Sequence, residues 1–272
     1  MKSLIKLGKR AALVSLCSSL FLSSVANALS LEQKTQELSV ELPVQGITLN
    51  YLQPVRLEQV LDDANANGAL GYFPLSAQLF DRNAQQQVDT LKVQVIEQLN
   101  QLALQEPQVK AVIAQLESFA YQARYFVDLD RNAVISQPEK NPLLVSKESA
   151  GESNWPTQTQ HFDLYLTHRP TDLTLVGAAK QTHKLKLIEN GQLDNYLSML
   201  SKGELLDIAD KSIAFVIQPD GHVDEVSYAY WNSKQAYFAP GAIVFIAFDS
   251  LPSEFSTLNQ NIIELLRHKV NL

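Results

Sequence analysis

Leu173-Thr-Leu-Val-Gly177, Ser212-Ile-Ala-Phe-Val-Ile217 and Gly241-Ala-Ile-Val-Phe-Ile-Ala-Phe248 are three strand-like runs, and what lies between them decides the fold. Between the first two, Leu193, Tyr196, Leu197 and Leu200 recur at i, i+3, i+4 and i+7, the spacing of one helix face. After the second, Pro219-Asp-Gly221 turns the chain into a returning strand from Val223 to Trp231. Proline fixes φ there, aspartate bonds the backbone ahead of it and glycine accepts a positive φ. Ile213, Phe215 and Ile217 alternate with Ala214, Val216 and Gln218, which predicts a strand with one strongly apolar face. The last run is apolar throughout, so both its faces are expected to be covered, in the middle of a sheet. Strand, helix, hairpin, strand is the order in which a small sheet wraps one helix. The expectation is a β-grasp-like unit over 171–250, followed by an amphipathic C-terminal helix over 251–272.

Working back towards the N-terminus, a second sheet is expected over 29–170. Leu38, Val40 and Leu42, then Val44, Ile47 and Leu49, read as two short strands with a turn at Gln45-Gly46. A short helix is expected over Val55 to Leu61, and a strand over Gly71 to Phe80. The period then changes. Leu91, Val95, Leu99 and Leu102 recur at helical spacing, as do Val112, Ile113, Leu116 and Phe119, with Glu106-Pro107 between them. Pro107 suits the first turn of the second helix. These predict a helical hairpin over about 86–120, inserted between strands and covering a sheet face. Tyr121 to Val127 resumes strand character. Asp128-Leu-Asp-Arg-Asn132 is expected to turn, Lys147 to Gln160 to form an exposed loop, and His161 to Thr167 to form a strand.

The N-terminus reads as a secretory signal peptide over residues 1–28. Lys2, Lys6, Lys9 and Arg10 precede an uncharged, mostly apolar run from Ala11 to Val25, and Ala26-Asn27-Ala28 offers small residues for cleavage after Ala28. Cys17 does not make a lipoprotein site, because Leu16 stands where a small residue is needed. Cleavage would remove the one cysteine, leaving no disulfide. It would also remove four basic residues and no acidic one, taking the formal charge from −7 to about −11. That charge argues against nucleic acid or anionic lipid as the main partner. No second apolar run is long enough to span a bilayer, so a soluble, exported protein is expected.

Several of these features together resemble a known family. Arg169-Pro170, Leu173 to Ala178, Ala209-Asp210, Pro219-Asp-Gly221, Tyr230-Trp-Asn232, Ala239-Pro-Gly-Ala242 and Leu251-Pro252 before a terminal helix look like the C-terminal half of GfcC-type capsule-biosynthesis proteins. The resemblance implies two tandem β-grasp domains, an α+β fold, with the helical hairpin inserted in the first. It also implies similarity to domains of Wza-type polysaccharide export proteins, and work in capsule or exopolysaccharide assembly or export. The family carries an arginine just after the hairpin, usually following a glycine. Arg124 occupies that place here, with Ala123 in place of the glycine and Phe119-Ala-Tyr-Gln122 in place of a proline-containing run.

The binding candidates are Arg124, Trp231 and Tyr230. An arginine fork binds carboxylates or stacks on a flat face, and alternation places Arg124 with Gln122 and Phe126. The two aromatic residues suit sugar stacking or a core. In the terminal helix Ile262, Leu265 and Leu266 form an apolar stripe, extended by Ile263, Val270 and the stem of Lys269, with a capping context at Ser256-Thr257. Burying four such side chains contributes on the order of 6–12 kcal/mol before entropic losses, so this helix is expected to dock on its own domain, or else on a protein partner or a membrane-inserted bundle. Asp128, Asp130, Asn132 and Glu139 follow part of a calcium-loop spacing, but Ala133 replaces the glycine of the sharp turn, so an ordinary turn is expected. His161, His168, His183, His222 and His268 have no metal-ligand spacing and read as surface residues. No catalytic constellation, cofactor motif or metal motif stands out. The sequence reads as a non-enzymatic accessory protein that binds polysaccharide or the export machinery. A polysaccharide-modifying enzyme using Arg124, or a plain interaction module, are the alternatives.

Overall fold

The computed structural model describes residues 38–146, 159–229 and 235–271, and from Gln36 onward the chain is one compact unit. The first sheet begins with β1 (Leu38–Leu42) and β2 (Ile47–Tyr51), an antiparallel pair joined through a turn in which Gly46 has φ +67°. The chain then runs through α1 (Leu57–Ala66) to β3 (Gln78–Asp81). Two helices follow, α2 (Gln85–Leu102) and α3 (Lys110–Glu117), with Pro107 opening the turn between them as its fixed φ favours. The stretch after α3 returns beside β3. Phe80 faces Arg124, Asp81 N donates to the Ala123 carbonyl at 2.7 Å, and Tyr125 N donates to Leu79 at 2.8 Å. A short helix, α4 (Arg131–Ser136), precedes β4 (Gln160–Tyr165), which lies between β1 and β3 and runs parallel to β1.

The second sheet repeats this plan. A hairpin of β5 (Asp172–Gly177) and β6 (His183–Lys186) leads through α5 (Leu193–Ser198) to β7 (Ala209–Ile217) and β8 (Val223–Ser227). The closing strand β9 (Ile243–Phe248) inserts between β5 and β7, parallel to β5. Each unit is therefore a hairpin, a helix, an outgoing strand, a return segment and a final strand dropped into the centre. Parallel pairing of first and last strands needs a crossover connection, and α1 and α5 lie within those crossovers. The two units differ at one corner. Between β7 and β8 the chain turns within Gln218–His222, with Gly221 N bonded to Gln218 O at 2.8 Å. At the same corner of the first unit, between β3 and its return segment, stand α2 and α3.

The α+β fold with two β-grasp-like sheets is as the sequence implies, and β9 is buried at all six positions. Three local expectations change. The sealed face of β7 carries Ala214 and Val216, while Ile213 and Phe215 are half-buried; both faces are apolar, and alternation alone does not say which one is sealed. Asp128 to Asn132, expected as an ordinary turn, leads into α4, because the Asp130 carboxylate accepts Asn132 N at 2.9 Å and caps the helix. Strand β6, unread in the sequence, pairs His183-Lys-Leu-Lys186 with β5.

The cores explain how the parts hold together. Around the first sheet, Leu57, Val60 and Leu61 of α1 pack with Val40, Leu79, Phe162 and Leu164. The helical hairpin belongs to the other core: Val95, Leu99, Val112 and Leu116 cluster with Val176, Phe245 and Ile246 of the second sheet. The last helix, α6 (Leu258–Arg267), fills the same cluster with Leu258, Ile262, Leu265 and Leu266. A buried amide also ties the hairpin to that sheet. Gln115 accepts from Gly177 N at 3.1 Å and donates to the carbonyls of Gly177 and Ala179 at 3.2 and 2.6 Å. Beyond α6 the chain runs antiparallel to the start of the return segment through an isolated bridge. Lys269 pairs with Tyr121, Val270 N bonds Ala120 O at 2.9 Å, and Gln78 holds Lys269 O at 3.1 Å and Asn271 N at 2.8 Å.

Candidate functional site

Along the return segment, Tyr121 and Ala123 are buried, and Arg124 and Phe126 project together towards the β7–β8 turn. The Arg124 side chain is 8% exposed and donates from Nη2 to the carbonyl oxygen of Pro219 in that turn. Its guanidinium lies 5.4 Å from the centre of the Phe126 ring. The Arg267 guanidinium also stacks on Phe126, at 4.4 Å, and the His268 ring meets it edge-on at 5.7 Å. Gly221, with φ +91°, packs against Phe126 so closely that a Cβ there would stand 2.4 Å from Cε1.

Helix α6 supplies the polar half. Arg267 Nε donates to the Gly221 carbonyl at 2.9 Å and Nη1 to Glu264 Oε2 at 2.6 Å. Arg124 N donates to His268 Nδ1 at 2.9 Å. A backbone N–H can only donate, so Nδ1 carries the lone pair and the proton sits on Nε2, which faces Glu264 Oε1 at 3.5 Å. Hydrogen bonds from His268 and Arg267, against an opposing burial cost, hold the Glu264 carboxyl down at about 2. Burial pulls Arg124 down to about 10, with Arg267 adding to the effect and Asp220 opposing it. Arg124 therefore remains a cation at neutral pH. Among the described residues no carboxylate lies within 4.0 Å of it.

Cavities open on both sides of Arg124 and Phe126. One, of about 840 Å³, is bordered by Phe73, Asp128, Asp130, Asp220 and Arg267. The other, of about 310 Å³, is bordered by Asp81, Gln87, Glu264 and His268. A guanidinium with five donors and, among the described residues, one protein acceptor, set in such a cleft, suits a carboxylate, a phosphate or a row of sugar oxygens. The calcium-like spacing holds no metal geometry. Asp128 and Asp130 each accept a backbone N–H two residues on, and Asp128 pairs with Lys140 at 2.9 Å. Against the cost of burial, those contacts keep the Asp128 carboxyl below its usual range. Among the described residues no group of three or more His, Cys, Asp or Glu is placed to hold a metal.

Of the binding candidates, Arg124 stands in the cleft, while Tyr230 and Trp231 lie outside the described residues. Ile262, Leu265 and Leu266 are at most 1% exposed and pack in the chain's own core, so the stripe read as a partner contact is already covered from within. Thr257 sits at the N-cap of α6 without a capping bond from its hydroxyl to the helix backbone; its Oγ1 accepts instead from Asn261 Nδ2 at 3.4 Å. Two histidines depart from the surface reading. His268 meets Arg124, and His183 bonds Glu204 at 3.0 Å. Gly221, Glu264, Arg267 and His268 were not singled out for the cleft. Their signal was faint: Glu264 and His268 are four apart and share one helix face.

Comparison with known proteins covers both halves of the cleft. Residues 34–148 match the model for the N-terminal region of GfcC capsule-biosynthesis proteins, and residues 181–271 match the model for the C-terminal region. Among curated proteins, the uncharacterized protein YjbG of Escherichia coli (strain K12) is 27% identical over 164 residues. That match spans 60% of this chain and 60% of YjbG.

Proposed function

We propose a role for a chain that belongs to the GfcC family of capsule-biosynthesis proteins: it is an exported, periplasmic accessory protein that holds an acidic polysaccharide, or a component of its export machinery, in the cleft around Arg124. Family membership supports work in capsule assembly. The cleft supports the finer reading through one observation: Arg124 is 8% exposed, and among the described residues the acceptor of its guanidinium is a carbonyl. A buried cation is costly unless compensated, and an anionic or polyhydroxylated partner supplies that compensation. No helix among the described residues is long and apolar enough to cross a membrane.

The test is genetic. A strain lacking the gene is complemented with the wild-type chain, Arg124→Ala or Arg124→Lys, and surface polysaccharide is quantified. Arg124→Ala is expected to behave like the empty strain while accumulating as folded protein, and Arg124→Lys to restore function in part, since a point charge lacks the planar fork. Normal surface polysaccharide in the deletion strain would sink the reading. A polysaccharide-modifying enzyme is the second reading, favoured by Glu264 and His268 lining the smaller cavity beside Arg124. It requires turnover of polysaccharide by the purified protein that His268→Ala abolishes.

A further inference from the structure

A second cleft lies on the far side of Pro219, the residue whose carbonyl Arg124 holds. It encloses about 360 Å³ between the outward face of β5, the Thr167–Asp172 segment and the tail after α6. Three cations line it, Arg169, Lys184 and Lys269, against one carboxylate, Asp172. The excess is local, because the whole chain carries a formal charge of −7.

The sequence places these groups by strand periodicity. Leu173 and Leu175 point into the core, so Asp172 and Thr174 point out. Thr174 pairs with Lys184 and Asp172 with Lys186 on β6. Opposite stands Lys269, its backbone fixed by the Tyr121 bridge and by Gln78. Among the described residues the ammonium of Lys269 finds neutral acceptors, Asn271 Oδ1 at 3.1 Å and Val270 O at 3.4 Å, with the Phe119 ring at 5.0 Å. Among the described residues no carboxylate lies within 4.0 Å of Lys184 or Lys269. Burial, and the like charge of Lys184, bring the Lys269 amine down to about 8. Hydroxyls complete the walls: Ser76 and Thr167 stand 3.3 Å apart, and Thr174 lies beside Lys184.

We infer that this cleft binds an anionic sugar, with its carboxylate or phosphate between Lys184 and Lys269 and its ring hydroxyls on Ser76, Thr167 and Thr174. Two cations held near each other in a half-closed space repel, and an oxyanion between them relieves both. The volume suits one or two sugar rings. The anion half of the assignment stands on the charges alone; the sugar half rests on the capsule-assembly reading.

Titration calorimetry on the intact protein tests it, with glucuronate, glucose 1-phosphate, glucose and inorganic phosphate as probes. One or both sugar anions are expected to bind, glucose to give no heat, and inorganic phosphate to bind more weakly. The stronger sugar anion identifies the anionic group. Lys184→Gln and Lys269→Gln are each expected to weaken binding about tenfold or more, and Lys211→Gln, at an exposed position of β7, to leave it unchanged. Lys184 is an exposed position on an edge strand, so its variant tests the site even if Lys269→Gln disturbs the tail. Equal binding of glucose or of inorganic phosphate, or wild-type affinity in folded Lys184→Gln, overturns the assignment. Because this is measured on purified protein, its failure leaves the genetic result standing, and failure of the genetic test leaves any anion binding standing.

Discussion

Gly221 has no room for a methyl group. Its φ of +91° and the Phe126 ring against its Cα are independent obstacles, so Gly221→Ala is expected to cost about 2 kcal/mol or more, read as a shift in the urea midpoint. The turn that carries it was legible, because Pro-Asp-Gly has its own chemistry. The ring it packs on was not, because Phe126 lies nearly a hundred residues earlier. Arg124 shows the same division. Its side of the strand followed from alternation, whereas the Pro219 carbonyl, Arg267 and His268 arrive through tertiary convergence. Glu264 offers a titration at this scale. Its carboxyl stands at about 2 in the fold against an ordinary 4.5, so it stabilises the fold fully above about pH 4.5, and that contribution is lost as pH falls towards 2. Relative to Glu264→Gln, the wild-type advantage in denaturant is expected to hold at pH 6 and shrink steadily between pH 4.5 and 2. An advantage constant over that window would count against the hydrogen bonds from His268 and Arg267.

Helices α2, α3 and α6 were legible as elements, since apolar spacing and Pro107 mark their extents to within a few residues. Their destination was not. An apolar stripe says that a helix is covered, not by what, and the stripe of α6 is covered by the hairpin and the second sheet. Leu265 is fully buried, so Leu265→Ala is expected to cost about 2–5 kcal/mol in equilibrium unfolding. A chain ending at Ser253 loses the whole helix and is expected to accumulate as unfolded or degraded protein, which makes it no test of a partner contact. Gln115 lies between the apolar positions of α3 and carries no signal of its own in the sequence. It is the amide that satisfies Gly177 N and two carbonyls. Gln115→Ala is expected to cost about 1–3 kcal/mol through those orphaned groups, with slower amide exchange lost first at Gly177. Strand β6 went unread for the opposite reason: an edge strand of lysines with one leucine carries too little apolar signal, although the alternation in His183-Lys-Leu-Lys186 is present.

At the scale of the molecule, the fold class followed from element order, because a hairpin, a helix and a central closing strand leave few other topologies. The exchange of parts between the two units did not follow, since no local pattern tells a hairpin inserted in one sheet to complete the core of the other. That exchange predicts cooperativity. Denaturation followed by tryptophan-independent probes, far-ultraviolet dichroism and calorimetry, is expected to give one transition, and two separated transitions would show that the halves are autonomous. The exchange also sets an order in time. Helices α2 and α3 leave the ribosome well before β5 to α6, so Val95, Leu99, Val112 and Leu116 must wait uncovered until residues as late as Leu266 have been made. A newborn chain of this kind carries a sticky, half-finished hairpin through most of its synthesis, and it depends on being kept open by chaperones, or on being passed across a membrane still unfolded, to reach its final shape.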